Sequence, residues 1–155
     1  MLDDVPLEFR RQGALLSTDR RLLNVDAVLA MLRATHWAGS MERAVLARAI
    51  GNSLCIGVYV DGRIIAFARA VTDLATYAYL TDVVVDEAHR KNGYGSWMIE
   101  AFLTHPDLQG VRRIALLTRD ARLLYERFGF SVGVTTSSTY MELWPPAVPA
   151  ATHQE

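Results

Sequence analysis

The chain is 155 residues long, which suits one domain with a substantial hydrophobic core. Its residues are 51% hydrophobic and 21% charged, which is typical of a globular protein and of neither a disordered nor a membrane-embedded one. The formal net charge of −1 gives no electrostatic reason to expect nucleic acid or an acidic membrane surface as a partner. No apolar run approaches the ~18 residues of a membrane span and no signal-peptide pattern opens the chain, so we expect a cytoplasmic protein.

The N-terminal third predicts one strand followed by two helices. Residues 1–12 are interpreted as a loose N-terminal lead-in, and a first strand is expected over 13–18. Apolar residues recurring at helical spacing then predict two helices, with Asn24 as the N-cap of the first and Ser40 as the N-cap of the second.

A β-hairpin is expected next. Leu54, Ile56, Val58 and Val60 occupy alternate positions of a first strand, Asp61 and Gly62 suit a two-residue turn, and 64–71 return as the partner strand. The single cysteine, Cys55, lies in the first of these strands. We expect it to be a small buried side chain rather than a reactive thiol, because no activating neighbour is visible.

A predicted strand at 79–85 leads into a glycine-bearing turn at 90–96 and then into a helix with an apolar stripe that begins at Tyr94. Gly93 and Gly95 allow the backbone to turn tightly and to approach a ligand with no Cβ in the way. The first N–H groups of a helix have no intrahelical acceptor, and the helix dipole is positive there. The turn therefore predicts a site for a phosphorylated ligand, and the alternative is an ordinary β-to-α turn.

A fifth strand is expected at 113–118, and a helix follows it with Thr118 or Asp120 as its cap. A last pair of strands is expected at 130–134 and 139–143, and a proline-rich mobile tail at 145–155. Together the elements predict one α/β domain over 13–144, with a central mixed sheet of about six to seven strands and helices on both faces. The strands at 79–85 and 113–118 are expected to be parallel neighbours that open a crevice at their carboxyl ends.

Two motifs in this arrangement resemble the GNAT superfamily of acyl-CoA-dependent N-acyltransferases. The sequence RKNGYG at 90–95 matches the family's R/Q-x-x-G-x-G/A signature after a strand, and TRDARLLYERFGF at 118–130 resembles its A-x-x-L-Y-x-x-x-G-F segment. The order of elements over 13–143 is also similar to that of the family. Glu87 stands where proline is frequent and Asn92 where a third glycine is common, but neither departure removes a backbone donor.

The resemblance implies acetyl-CoA as co-substrate and coenzyme A as product. No spacing of His, Cys or carboxylate residues predicts a metal site. The N–H groups of the turn would cradle the pyrophosphate, the side chain of Arg90 would add charge, and the backbone of the central strand would pair with the pantetheine arm where the fourth and fifth strands splay apart. The cofactor-binding residues so implied are Val83, Val85, Arg90, Lys91, Asn92, Gly93, Tyr94, Gly95 and Ser96.

Tyr125 is the implied general acid, since the equivalent hydroxyl in the family donates a proton to the departing thiolate. Its alternative role is that of a buried tyrosine in the core. Asp82 is the candidate base, being the only carboxylate within the central strand. Its parity sets it opposite Tyr79 and Thr81 unless a bulge resets the register, so pairing with an arginine and a water relay past Tyr79 stay open.

The acceptor pocket implied by the resemblance consists of His36, Trp37, Tyr77 and Tyr79. These aromatic side chains could hold the stem of a small-molecule or peptide amine, although His36 and Trp37 would equally well seal a helix end. The predicted function is N-acetyl transfer in a ternary complex. The alternative is a non-catalytic acyl-CoA sensor on the same fold, and a homodimer through the last strands is compatible with either.

Overall fold

The computed structural model describes residues 5–133 and 138–144. Its strands and helices, in chain order, are β1 (Glu8–Arg11), β2 (Ala14–Ser17), α1 (Val25–Arg33), α2 (Arg43–Gly51), β3 (Leu54–Val60), β4 (Arg63–Thr72), β5 (Tyr77–Val85), α3 (Tyr94–Thr104), β6 (Arg113–Leu116) and α4 (Arg122–Glu126). Even α3, with 11 residues, is shorter than a membrane-spanning helix needs to be, and so is every other helix in the described ranges.

The six strands form one sheet in their sequence order. Neighbours are antiparallel from β1 to β5, whereas β6 runs parallel to β5 because α3 crosses over between them. The predicted mixed α/β sheet is therefore confirmed. Residues 77–80 of β5 pair with Arg113–Leu116, and the rest of β5 has no partner on that side. The two strands separate there, as the predicted splay requires.

Helices cover both faces of the sheet, and each face has its own core. On one face α3 buries Trp97, Met98, Ile99, Ala101 and Phe102 against strand residues that include Ile56, Ala68 and Leu80. On the other face α1 and α2 bury Val28, Leu29, Leu32, Leu46 and Ile50 against Cys55, Phe67 and Val84. Burial raises the pKa of the Cys55 thiol to about 12, so this side chain is the buried, unreactive one that the sequence predicted.

The helix starts follow from local hydrogen bonds. Asn24 caps α1 as predicted, since its side-chain oxygen accepts a bond of 3.0 Å from the N–H of Ala27. The prediction of Ser40 as the second cap is wrong: α2 begins at Arg43, with Glu42 at the cap position. The N–H of Met41 donates to the carbonyl of Ala38, and this turn postpones the helix.

Part of the predicted loose lead-in is an ordered strand. Gln12 and Gly13 have positive φ angles of 48° and 82° and turn the chain back, so β1 pairs in register with β2. All four residues of β1 are exposed. The segment thus lacks the alternation of apolar and polar residues by which a half-buried strand is recognised, and the prediction missed it.

The last two predicted strands do not form in the described part of the chain. Residues 130–133 and 138–144 contain no strand, while 134–137 and the predicted tail at 145–155 lie outside the described residues. Val132, Met141 and Leu143 are largely exposed. An alternating or β-branched segment forms a strand only where a neighbour buries one of its faces, and these side chains are not buried.

Gly57 of β3 makes room for the ring of Tyr59, two residues along the same strand. A Cβ added at Gly57 would lie 2.5 Å from the hydroxyl oxygen of Tyr59 and 2.7 Å from its Cζ. Tyr59 is only 7% exposed, so its ring has little room to move away.

We therefore expect Gly57→Ala to lower the free energy of unfolding by about 1–3 kcal/mol through overpacking. Gly51→Ala in α2 is the matched control, because a Cβ there meets no atom within 4 Å. Urea unfolding of both variants measures the difference. Equal stability of the two would show that the Tyr59 ring can be displaced at no cost.

Candidate active site

The turn between β5 and α3 is held by backbone geometry and by one amide side chain. Lys91 and Gly93 have φ angles of 65° and 80°, and Gly93 is the N-cap of α3 in the left-handed conformation that glycine adopts without strain. The side-chain NH₂ of Asn92 donates to the carbonyls of His89 (3.0 Å) and Arg90 (3.2 Å). Asn92 thus closes the turn from within.

The first turn of α3 presents backbone donors that the protein itself does not use. Gly93 offers no side-chain cap, and no described residue accepts a hydrogen bond from the amides of 91–96. The carbonyl of Gly93 does accept from the N–H of Trp97, at 3.0 Å, so the helix itself is regular. A Cβ on Gly95 would meet no atom within 4 Å. The backbone at this point is accessible and can bind an anion.

Arginines surround this turn, and two of them come from distant parts of the chain. Arg90 lies in the turn and donates to the carbonyl of Val85 at 3.2 Å. Arg11 donates to the carbonyl of Gly93 at 3.4 Å, and Arg127 donates to the hydroxyl of Ser96 at 3.5 Å. The sequence motif identified only Arg90, because the other two reach the turn through tertiary structure.

Asp82 lies at a β-bulge, at the point where β5 leaves β6. Its φ angle is 53°, and the register of β4 with β5 shifts across Phe67 and Arg69. Ala78 and Leu80, before the bulge, pack on the α3 side of the sheet. After it, Val83 and Val85 pack on the α3 side while Val84 packs on the other. The bulge therefore reverses the parity predicted for Asp82 and puts its side chain on the α1 and α2 face.

Asp82 forms a buried ion pair with Arg69 of β4. The Oδ2 atom of Asp82 lies 2.5 Å from Nε of Arg69, and the two side chains are 5% and 15% exposed. Arg69 also donates to the hydroxyl of Ser53 at 3.2 Å. Pairing with an arginine was one of the alternatives left open for Asp82. The partner itself was missed, although a single arginine within the apolar run IIAFARAV signals a buried charge that needs a counterion.

Tyr125 lies on the α3 side of the sheet, opposite to Asp82. It is 8% exposed, packs edge-on against Phe130 with ring centroids 5.9 Å apart, and belongs to the α3-side core. Its hydroxyl group bonds to no described residue, and burial raises its pKa above the ordinary value of a tyrosine. A surface cavity of about 530 Å³ on α4 is lined by Leu123, Leu124, Glu126 and Arg127, and Tyr125 does not line it.

The four residues predicted for the acceptor pocket form two separate groups. His36 and Trp37 are exposed beyond the end of α1, and the centroids of their rings lie 5.0 Å apart. Tyr77 is exposed and Tyr79 half-buried on β5, and burial is the main cause that raises the pKa of Tyr79. Within 5–133, no ring contact joins the two groups. Tyr77 and Tyr79, which are two residues apart before the bulge, both lie on the face of the sheet that Asp82 occupies.

This fold, in which a turn with backbone donors unused by the described residues begins a helix beside two separating parallel strands, is that of an acyltransferase. The model of the acetyltransferase (GNAT) family matches residues 26–130. The chain belongs to this family, as its two motifs predicted.

Two relatives of the chain carry the same description. A curated protein of Gibberella zeae, named "putative acetyltransferase", is 34% identical in an alignment 152 residues long, and the match covers 83% of this chain and 83% of that protein. A crystal structure from Xanthomonas campestris pv. campestris, described in the same words and as a GNAT member, is 42% identical with a TM-score of 0.82, over 88% of this chain and 96% of that one.

A more distant structure shares the fold alone. The Clostridium acetobutylicum protein, described as a predicted acetyltransferase with acetyl-CoA, is 15% identical with a TM-score of 0.60, over 83% of this chain and 94% of that one.

Proposed function

We propose that this protein transfers an acetyl group from acetyl-CoA to a primary amine by direct attack in a ternary complex. The observation that carries the proposal is the first turn of α3, whose backbone donors have no acceptor among the described residues, beside a Gly95 with open space in front of it. Membership of the GNAT family and the Clostridium structure with acetyl-CoA support the choice of ligand.

The diphosphate of acetyl-CoA would bind to the backbone of Lys91, Asn92, Gly93, Tyr94, Gly95 and Ser96. Arg90 would add a positive charge next to it. The pantetheine arm would then lie along residues 81–85 of β5, where the β6 side of the strand has no partner. There its amides would pair with the backbone of Val83 and Val85 in the manner of an added strand.

The thioester would lie in the gap between β5 and β6, with Tyr125 on one side of the sheet and Asp82 on the other. The amine nitrogen attacks the carbonyl carbon, the C–S bond breaks, and the departing thiolate takes a proton from the Tyr125 hydroxyl. Burial raises the pKa of Tyr125, so its hydroxyl is protonated throughout the neutral range and is available as a donor.

The attacking ammonium must lose a proton, which at pH 7 costs about 4–5 kcal/mol for an alkylamine of pKa near 10.4. Asp82 is our candidate acceptor of that proton. The bulge brings it to the face it shares with Tyr79, and one of its two carboxylate oxygens bonds to Arg69. A water relay past Tyr79 is the competing route. His36, Trp37 and Tyr77 remain proposed contacts of the amine, and the cytoplasmic location and the homodimer remain predictions.

Acetyl-CoA titration and thiol release test the function. We expect isothermal titration calorimetry to show one site for acetyl-CoA, and a panel of amino acids, polyamines and peptides to include an acceptor that releases one thiol for each acetyl group transferred. Absence of acetyl-CoA binding would refute the proposal. Tight binding with no thiol release across the whole panel would favour the acyl-CoA sensor.

Gly95→Ala tests the proposed diphosphate site with a change that should not disturb the fold. The added Cβ meets no protein atom, and alanine suits a helix better than glycine, so we expect the free energy of unfolding to rise by up to about 1 kcal/mol. The same Cβ would obstruct a diphosphate at the backbone, so calorimetry should show coenzyme A affinity reduced roughly tenfold. Gly51→Ala, the same change in a helix far along the chain, should leave that affinity unaltered. Wild-type affinity in Gly95→Ala would place the ligand elsewhere.

Tyr125→Phe tests the proton donor, since phenylalanine keeps the packing against Phe130 and removes only the hydroxyl. We expect kcat to fall by roughly 10²- to 10⁴-fold, the range that a positioned acid contributes, while the affinity for acetyl-CoA stays within about threefold of wild type. Steady-state thiol release and calorimetry measure the two quantities. An unchanged kcat would identify Tyr125 as a packing residue only.

A further inference from the structure

Arg11 joins the edge strand β1 to the start of α3, although the two are 82 residues apart along the chain. It is the last residue of β1, and the turn at Gln12 and Gly13 directs the strand end toward the helix. Its guanidinium carbon lies 4.6 Å above the ring of Trp97, and its Nη2 atom donates to the carbonyl of Gly93. Trp97 is buried in the core, so the guanidinium group lies on a rigid support.

The position of Arg11 stabilises the geometry of the turn. Gly93 starts α3 with no side-chain cap, and its carbonyl accepts one bond from the N–H of Trp97. The bond from Arg11 is a second restraint on the same carbonyl. Arg11, which lies on the Trp97 ring and donates to the carbonyl of the N-cap residue, therefore fixes the plane of the peptide group that joins Gly93 to Tyr94, and the N–H of Tyr94 is one of the amides without an acceptor among the described residues.

The positive charge of Arg11 interacts unfavourably with the N-terminus of α3, which is the positive end of the helix dipole. Carboxylates stabilise a helix N-terminus and cations oppose its dipole, yet the first turn of α3 contains no acidic residue. Instead Arg11, Arg90 and Arg127 all reach the backbone or the side chains of 85–96. An anion bound at the turn would compensate both the dipole and these arginines.

From this arrangement we infer that Arg11 is a positioning residue for the diphosphate of acetyl-CoA: it holds the Gly93 peptide and supplies a positive charge next to the phosphates. This inference rests on the proposed function. It makes β1, which has no part in the motif, a component of the cofactor site. Arg11 contacts no reacting atom, so it should affect binding and leave the chemical step unchanged.

The experiment compares Arg11→Gln with Arg10→Gln, the neighbouring exposed arginine that strand alternation directs to the opposite face. Calorimetry with coenzyme A and with dephospho-coenzyme A, at ~50 mM and ~300 mM salt, measures affinity, and thiol release measures kcat. We expect Arg11→Gln to raise Kd about 3- to 10-fold for both ligands at low salt and less at high salt, with kcat unchanged. Arg11→Lys, which keeps the charge, should fall between wild type and Arg11→Gln.

Several results would overturn the inference while leaving the proposed function standing. Wild-type affinity in Arg11→Gln, or an equal loss in Arg10→Gln, would remove the special role of Arg11. A loss confined to coenzyme A would assign Arg11 to the 3′-phosphate instead of the diphosphate, and a fall in kcat with Kd unchanged would assign it to the chemical step. Failure of the wild-type protein to bind either ligand would instead refute the proposed function.

Discussion

The site depends on how α3 begins. Its first amides have no acceptor in the described protein, and the helix cannot tilt to find one, because Trp97, Met98 and Phe102 anchor it in the core on one face of the sheet. Gly93 adopts the left-handed backbone conformation with which the helix begins, and three arginines surround this turn. The packing of the core therefore maintains a local concentration of positive charge that the turn could not hold by itself.

The bulge at Asp82 is the second constraint, and it acts on the chemistry rather than on binding. One extra residue in β5 exchanges the faces of all the residues after it, so a carboxylate that strict alternation would direct toward α3 lies on the other side with Arg69. The bulge coincides with the separation of β5 from β6. In the proposed reaction, this coincidence gives the gap one proton donor from the α3 side and one proton acceptor from the other.

The turn and the α4 motif were predictable because their physics is local. A strand end, two glycines and a helix start predict such a turn within about a dozen residues, and the position of Tyr125 follows from helix periodicity. The sequence identified Asp82 as a candidate base but not the face of the sheet on which it lies, since the alternation of side chains along a strand fails wherever a bulge occurs. Arg69 left a signal, an arginine in an apolar strand, whereas Arg11 left none. Its exposed strand has no alternation, and the ring it contacts lies 86 positions further along the sequence.

By itself the sequence determined the α/β class, the helices on both faces of the sheet, the turn at 90–96 and the place of Tyr125, since each follows from the spacing of residue types within short segments of the chain. Only the tertiary structure decided which face Asp82 occupies, that Arg69 is its partner, and that Arg11 and Arg127 reach the turn. These features depend on strand register and on side chains that meet across the sheet. Register is set by the energy of the whole packed sheet and not by any single segment.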